Sequence, residues 1–305
     1  METTLLLFAL LTPLLYAATN HLDNILLEKY FKSGGVGTLI LFSALLSFLS
    51  LPILLWFDSS VFEVSWSNMA LLFGVGLLNT LLLWCYLQAI FNDEPTVVII
   101  YYQLVPVLGL GMGYLVLGET VTGEQLFAMA IILFGASILT VVMDENGIVF
   151  RWKTAGYMLA ASLCWAAEST FFKFVALEEN WVRSFFWEHV ALVFIGVCLF
   201  AAVPHYRHSF LKALSLNSGT ILGLNVTNEA LYMSANAIAA FVVMHSLVAT
   251  TLLLNSFQPM FVLLLGLLLT WVFPRLEVEH VNGQHRLQKV AALLLTVYGG
   301  YELGF

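Results

Sequence analysis

An all-α integral membrane protein of ten transmembrane helices, folded as two inverted repeats of five over residues 1–146 and 147–305, is what this sequence predicts. Three observations carry that expectation. Apolar and aromatic residues make up 61% of the chain and charged residues 10%, against roughly a quarter charged in an ordinary globular domain. Ten runs reach the about 20 apolar residues a helix needs to cross a bilayer while satisfying its own backbone hydrogen bonds. Finally, "LLYAATNHLDNILLEKY" aligns with "SLCWAAESTFFKFVALEE", setting Tyr16 on Trp165 and Ala17-Ala18 on Ala166-Ala167, 149 positions later. Pro106 and Pro259 coincide similarly, about ten residues into the fourth and ninth runs. An odd number of spans per half inverts the second half, so any shared site falls near mid-bilayer.

Helix 1 (5–28) lacks a cationic leader and is longer than a signal-peptide core, so it is a span and not a cleaved segment. Tyr16, Asn20, Asp23 and Asn24 share a stripe on it, with His21 to one side. Asp23 approaches the interface, where a carboxylate is simply hydrated. "KSGGVG" follows as a flexible turn, without the GK[ST] of a phosphate loop. Helix 2 (36–57) is apolar. Helix 3 (68–91) carries Asn79 at its centre and Tyr86 two turns later. In helix 4 (96–117) Gln103 precedes Pro106, and Gly109 and Gly113 form a small-residue packing surface. Thr122 to Gln125 is a capping box opening helix 5 (123–143).

Helix 6 (154–177) places Trp165 and Glu168 at its middle, and Lys173 near an end where it can snorkel to the interface. In helix 7 (183–204) Glu188 and His189 stand one turn inside the bilayer; Glu188 is in reach of Arg183, and His189 is a proton-exchange candidate. Helix 8 (218–243) sets Asn225, Asn228, Glu229 and Tyr232 at i, i+3, i+4 and i+7, hence on one face. That stripe is either a cavity lining or an amide-bonded helix seam; the "NVT" sequon at Asn225 lies mid-span, out of reach of glycosylation. Helix 9 (247–272) has Asn255 and Gln258 before Pro259, where proline frees a backbone carbonyl that such amides satisfy. Helix 10 spans 287–304.

Depth selects the leading candidates. An ionisable side chain at mid-bilayer costs about 2.5 to 3.5 kcal/mol to insert, so Glu168 and Glu229 are expected to face a polar cavity or a partner. Around them the candidate solute- or proton-binding residues are Asn228, Asn225, Tyr232, Asn20, Asn79, Gln103, Trp165 and His189, in a cavity lined by helices 1, 3, 4, 6, 8 and 9. Cys85, Cys164 and Cys198 fall in spans at unrelated spacings and form no metal or disulfide pattern. No catalytic residue, cofactor or metal site is expected: HExxH and GxSxG are absent. A net charge of -8 with no basic stripe excludes nucleic acid as a partner. Nine lysines and arginines flank the loops after helices 1, 5, 7 and 9, and only Arg183 lies opposite. The positive-inside rule puts those loops in the cytoplasm and both termini outside.

"LVPVLGLGMGYLVLGETVTGEQLFAMAIILFGASILTV" resembles the end of an EamA repeat, with its helix 4 proline, LGE, short polar turn, Gln opening helix 5 and closing Gly. The chain is thus similar to the ten-helix EamA-type members of the drug/metabolite transporter (DMT) superfamily. The second half departs from that pattern, reading "FPRLEVEHVNGQHR" where the first reads "GETVTGEQ". The resemblance implies a secondary transporter of a small polar metabolite, and it implies cytoplasmic termini, against the charge count. Acidic residues with few intramembrane cations favour an amino acid, nucleobase or amine over a phosphorylated solute. An exporter coupled to protons or running by exchange, monomeric or homodimeric, in a bacterial inner membrane or a eukaryotic organelle membrane, is the expectation. A non-transporting scaffold or chaperone subunit is the alternative.

Overall fold

A computed structural model describes residues 8–31, 35–93, 95–144, 147–150 and 152–272, with scattered positions beyond 290. The predicted helix 10 otherwise lies outside the described residues. Nine helices follow one another among them. Helix α1 (Leu11–Ile25) runs on through a π turn, Leu26–Tyr30. Then come α2 (Gly35–Phe57), α3 (Trp66–Ile90), α4 (95–117) and α5 (Gly123–Thr140). After them lie α6 (Trp152–Glu179), α7 (Trp181–Ala202), α8 (Pro204–His245) and α9 (Val248–Val272). Four of these, α2, α3, α7 and α9, are long and apolar enough to span a membrane on composition alone.

Two boundaries differ from expectation. Helix α5 stops at Thr140, and the chain turns through an antiparallel hairpin, β1 (Val141–Asp144) with β2 (Gly147–Phe150), pairing Val141 with Phe150. Residues Val141 to Met143 belong by sequence to the expected tail of helix 5, which the first strand of the hairpin cuts short. Helix α8 begins 14 residues before its predicted start of 218, at Pro204, because proline is well placed in a first helical turn and nothing between 204 and 217 breaks the helix.

Prolines set the remaining irregularities. Helix α2 tightens to a 3-10 turn at Ser47–Leu49, α4 at Tyr101–Leu104 and α9 at Asn255–Phe257. Each turn lies just before a proline, Pro52, Pro106 or Pro259. With no N–H, proline cannot bond the carbonyl four residues back, so the preceding turn rewinds.

The helices pack in matched pairs. Helix α3 lies along α6 and α8 along α1; α7 packs on α3 and α8 on α2; α9 packs on α1 and α4 on α6; α2 meets α7, and α4 meets α9. Small residues let them approach closely. A β-carbon built on Gly76 would sit 2.8 Å from Ala191 Cβ, one on Gly196 2.9 Å from Ala44 Cβ, and one on Gly109 2.4 Å from Leu252. The Gly109 seam is the packing surface expected of the small residues in helix 4. At the lipid boundary Trp56 and Trp66 stand exposed at one end of the bundle, and Trp152 and Trp271 at the other, the aromatic belts of a membrane protein.

Candidate functional site

Two cavities lie in the bundle, on either side of an aromatic layer. The larger encloses about 640 Å³ and is lined from α1, α2, α3, α4, α6, α8 and α9. Three carboxyl groups, Asp23, Glu168 and Glu229, face it, with no lysine, arginine or histidine on its walls among the described residues. Each is held by neutral donors. Asn228 Nδ2 donates to Asp23 Oδ1 at 2.7 Å, and Asn79 Nδ2 to Glu168 Oε1 at 3.0 Å. Ser43 and Ser47, one turn apart on α2, donate to the two oxygens of Glu229 at 2.7 and 3.3 Å. Because a carboxylate in low dielectric is costly unless bonded, these amides and hydroxyls make its placement here tolerable while leaving its charge without a built-in counter-ion.

The amides continue as a network. Gln258 Nε2 donates to Asn20 Oδ1 at 2.7 Å, and Asn20 Nδ2 to the Tyr86 hydroxyl at 2.8 Å. Tyr232 donates to Asn79 Oδ1 at 3.4 Å, and Tyr16 to Asn236. Above them Trp165 meets Tyr16 edge to face at 5.6 Å and Tyr102 at 4.7 Å, while Tyr86 stacks on Tyr102 at 6.1 Å. Beyond Tyr16 and Trp165, toward the Arg183 face, lies a second cavity of about 470 Å³; Glu168 and Asn236 border both.

Of the residues picked from sequence, Glu168, Glu229, Asn228, Tyr232, Asn20 and Trp165 line the larger cavity. Asn79 stands behind Glu168 and Tyr232, bonded to both. Three others lie elsewhere. Asn225 donates to Ile221 O of its own helix at 2.8 Å, and Gln103 to Ser256 O at 3.3 Å across the α4–α9 crossing. His189 donates to Phe185 O at 2.8 Å, its ring against Phe185. In each case a backbone carbonyl takes the polar group and turns it from the cavity.

Several expectations for other residues are overturned. Asp23 is not hydrated at a helix end but 6% exposed in the cavity, because α8 packs over it and supplies Asn228. Gln258 serves Asn20, not a freed carbonyl. Lys173 does not snorkel: its Nζ lies 2.6 Å from Glu119 Oε1 and donates to Ser246 O at 2.6 Å, while Glu119 Oε2 accepts Val248 N–H at 2.9 Å. The glutamate of the LGE motif thereby ties α4 to α6 and to the start of α9. The capping box at Thr122 and Gln125 forms reciprocally, at 2.8 and 3.3 Å. Arg183 does not pair with Glu188; it reaches Asp58 (3.4 Å), the Ser60 hydroxyl (2.6 Å) and Glu63 (3.5 Å) in the α2–α3 loop. The Ser60 hydroxyl and backbone N–H, then Asn180 and Arg183, hold the Asp58 carboxyl down at about 2.

Ser43, Asn236 and Tyr102 escaped sequence reasoning. Ser43 and Ser47, spaced i, i+4 in an otherwise apolar helix, were a usable signal, and Asn236 extends the Asn228–Tyr232 stripe by one turn. Tyr102 carried none.

Residues 3–141 match the EamA-like transporter family. No curated protein matches the chain. A solved crystal structure of a protein aligns over 99% of this chain and 96% of its own, with a TM-score of 0.54 and 16% sequence identity, a likeness of fold. The resemblance first seen from Pro106 to Val142 therefore extends over residues 3–141, a little under half of the chain, and four of the described helices are long and apolar enough to cross a membrane.

Proposed function

Given an EamA-like transporter segment over residues 3–141, we propose that the chain is a secondary active carrier of a small polar metabolite, an amino acid, nucleobase or amine. Its solute binds in the larger cavity, with Glu168, Glu229 and Asn228 as leading contacts, and export runs by proton coupling or exchange. The observation that carries this reading is three buried carboxyl groups around one cavity with no basic side chain on its walls among the described residues. An acidic lining of that kind selects against anions. A bacterial inner membrane, or an organelle membrane, is the proposed location.

Alternating access is proposed to run between two five-helix halves, 1–146 and 147–305. The packing supports it, since exchanging each helix with the one five places on carries the main contacts among α1–α4 and α6–α9 into one another: α3 on α6 becomes α8 on α1, and α9 on α1 becomes α4 on α6. Asn79 and Asn228 are also 149 positions apart, like Tyr16 and Trp165. Proton exchange follows from the carboxyl groups, whose protonation state changes as the cavity faces one side and then the other.

Uptake and counterflow in proteoliposomes test this, with labelled amino acids, nucleosides and amines and an imposed pH gradient. Transport of one class that responds to the gradient is the expected result. Wild-type rates and pH response in both Glu168→Gln and Glu229→Gln would sink the coupling.

A further inference from the structure

The second cavity is not merely the far end of the first. It opens beyond Tyr16 and Trp165 among α6, α7, α8 and α9, and its polar groups differ in one respect. In the larger cavity every carboxyl group has a neutral donor, although the amide oxygens of Asn228 and Gln258 there lack partners; here a whole carboxyl group has no donor. Glu188, 3% exposed, has no hydrogen-bond or ion-pair partner among the described residues. Glu168 spends Oε1 on Asn79, and its Oε2 has none. Asn255, 5% exposed, has an unpartnered Oδ1. These three residues, from α7, α6 and α9, line one space of about 470 Å³.

Cations are kept out of it. Lys173 is one turn beyond Glu168 on α6, yet its ammonium is committed to Glu119 and Ser246 O. Arg183, one turn before Glu188 on α7, is committed to the α2–α3 loop. His189, beside Glu188, gives its ring N–H to Phe185 O. Tyr16, Trp165, Phe172 and Phe185 are its aromatic walls, with Ser169, Asn236, Thr251 and aliphatic side chains completing the lining. Buried acceptor oxygens without donors are costly, and aromatic faces attract a cation. The complement of both is a positively charged group bearing several N–H bonds on a small apolar body.

We propose that this cavity is a second binding station, for a primary ammonium group, anchored by Glu188 with Glu168 Oε2 and Asn255 Oδ1 as the other acceptors. It narrows the solute class of the proposed carrier to amines and amino-group-bearing metabolites, and it rests on the transport reading only for its purpose, since occupancy is measurable without transport. Glu168, bordering both cavities, is the residue by which an ammonium passes from one to the other.

The experiment is equilibrium binding of labelled phenethylammonium to the full chain in lipid nanodiscs, by scintillation proximity. Wild-type protein is expected to bind it, with no competition from excess neutral 2-phenylethanol. Glu188→Gln, nearly isosteric, should weaken binding by about tenfold or more, the loss of one charge-assisted hydrogen bond. Asn255→Ala should weaken it by about threefold and keeps the test available if the first variant does not fold. Glu229→Gln, which alters a side chain of the other cavity only, should weaken binding less than Glu188→Gln does. Unchanged affinity in Glu188→Gln and Asn255→Ala, loss in Glu229→Gln only, equal competition by 2-phenylethanol, or no binding by folded wild-type protein would each overturn the station. Binding that tracks Glu188 in a protein inactive in proteoliposomes would uphold the site and remove the carrier; transport with binding indifferent to Glu188 would do the reverse.

Discussion

Carboxylates at the middle of this bundle and carboxylates at its Arg183 face are held by different chemistry. In the middle, Asp23, Glu168 and Glu229 meet amides and hydroxyls only. At the face, Glu119 meets Lys173, and Asp58 meets Arg183. An acid with a cation beside it has its countercharge built in and serves as a fastening. One with neutral donors is held in position but leaves its charge to be balanced by whatever enters, a proton or a solute. The difference separates the acids that fasten helices to one another from those whose charge is left open.

The largest effect expected from breaking that division is on stability. Removing the ammonium in Lys173→Met leaves Glu119 buried without its cation, and loss of one partner of a buried pair costs about 3–5 kcal/mol. Thermal unfolding in detergent should fall sharply, and the double variant with Glu119→Leu should recover most of the loss. If Lys173→Met unfolds like the wild type, the ion pair is not a fastening.

Glu168→Gln should show the opposite profile. The amide keeps the shape and accepts from Asn79, so the unfolding midpoint stays near the wild type. Solute flux should fall by about a hundredfold, equivalent to about 2.7 kcal/mol. A variant that lost stability and kept flux would place Glu168 among the fastenings.

Smaller again are the two amides. Asn79→Ala and Asn228→Ala each remove one donor from a central carboxyl group and should each lower flux by about tenfold, near 1.4 kcal/mol. Similar losses would sharpen the correspondence between the halves. A loss in one alone would break it.

The mildest test is acid. Asp58 is held at about 2, below the ordinary value of 3.8, so its contribution to the Arg183 clasp is complete above pH 4. It is lost as the pH falls from there through about 2. Proteolysis of the 58–65 loop by pepsin should therefore accelerate a few-fold across that window in the wild type. Asp58→Asn should be cut at the faster rate throughout, and an unchanged wild-type rate would remove the clasp.

Much of the architecture was legible in the sequence because its causes are local. Hydrophobic length set the spans, and Thr122 with Gln125 announced a cap that forms. Depth alone picked out Glu168 and Glu229, since an acid that far from water must have a polar surround. The errors cluster where a partner from a distant part of the chain decides the outcome. Asp23 seemed hydrated until α8 covered it, and Lys173 seemed free to snorkel until Glu119, 54 residues away, claimed it.

Periodicity determines which side chains share a helix face, and the sequence by itself therefore determined the stripes on α1 and α8, the buried acids and the five-plus-five plan it proposes. Tertiary structure alone decided which way each stripe turns. Rotation about a helix axis is set by close contacts between small residues, such as Gly76 against Ala191 and Gly196 against Ala44, and a turn of a few tens of degrees moves a side chain from a cavity to a neighbouring carbonyl. Position along the axis matters as well: Asn228 and Tyr232 line the cavity while Asn225, one turn earlier on the same stripe, bonds its own backbone, and Glu188 faces an unclaimed space instead of Arg183.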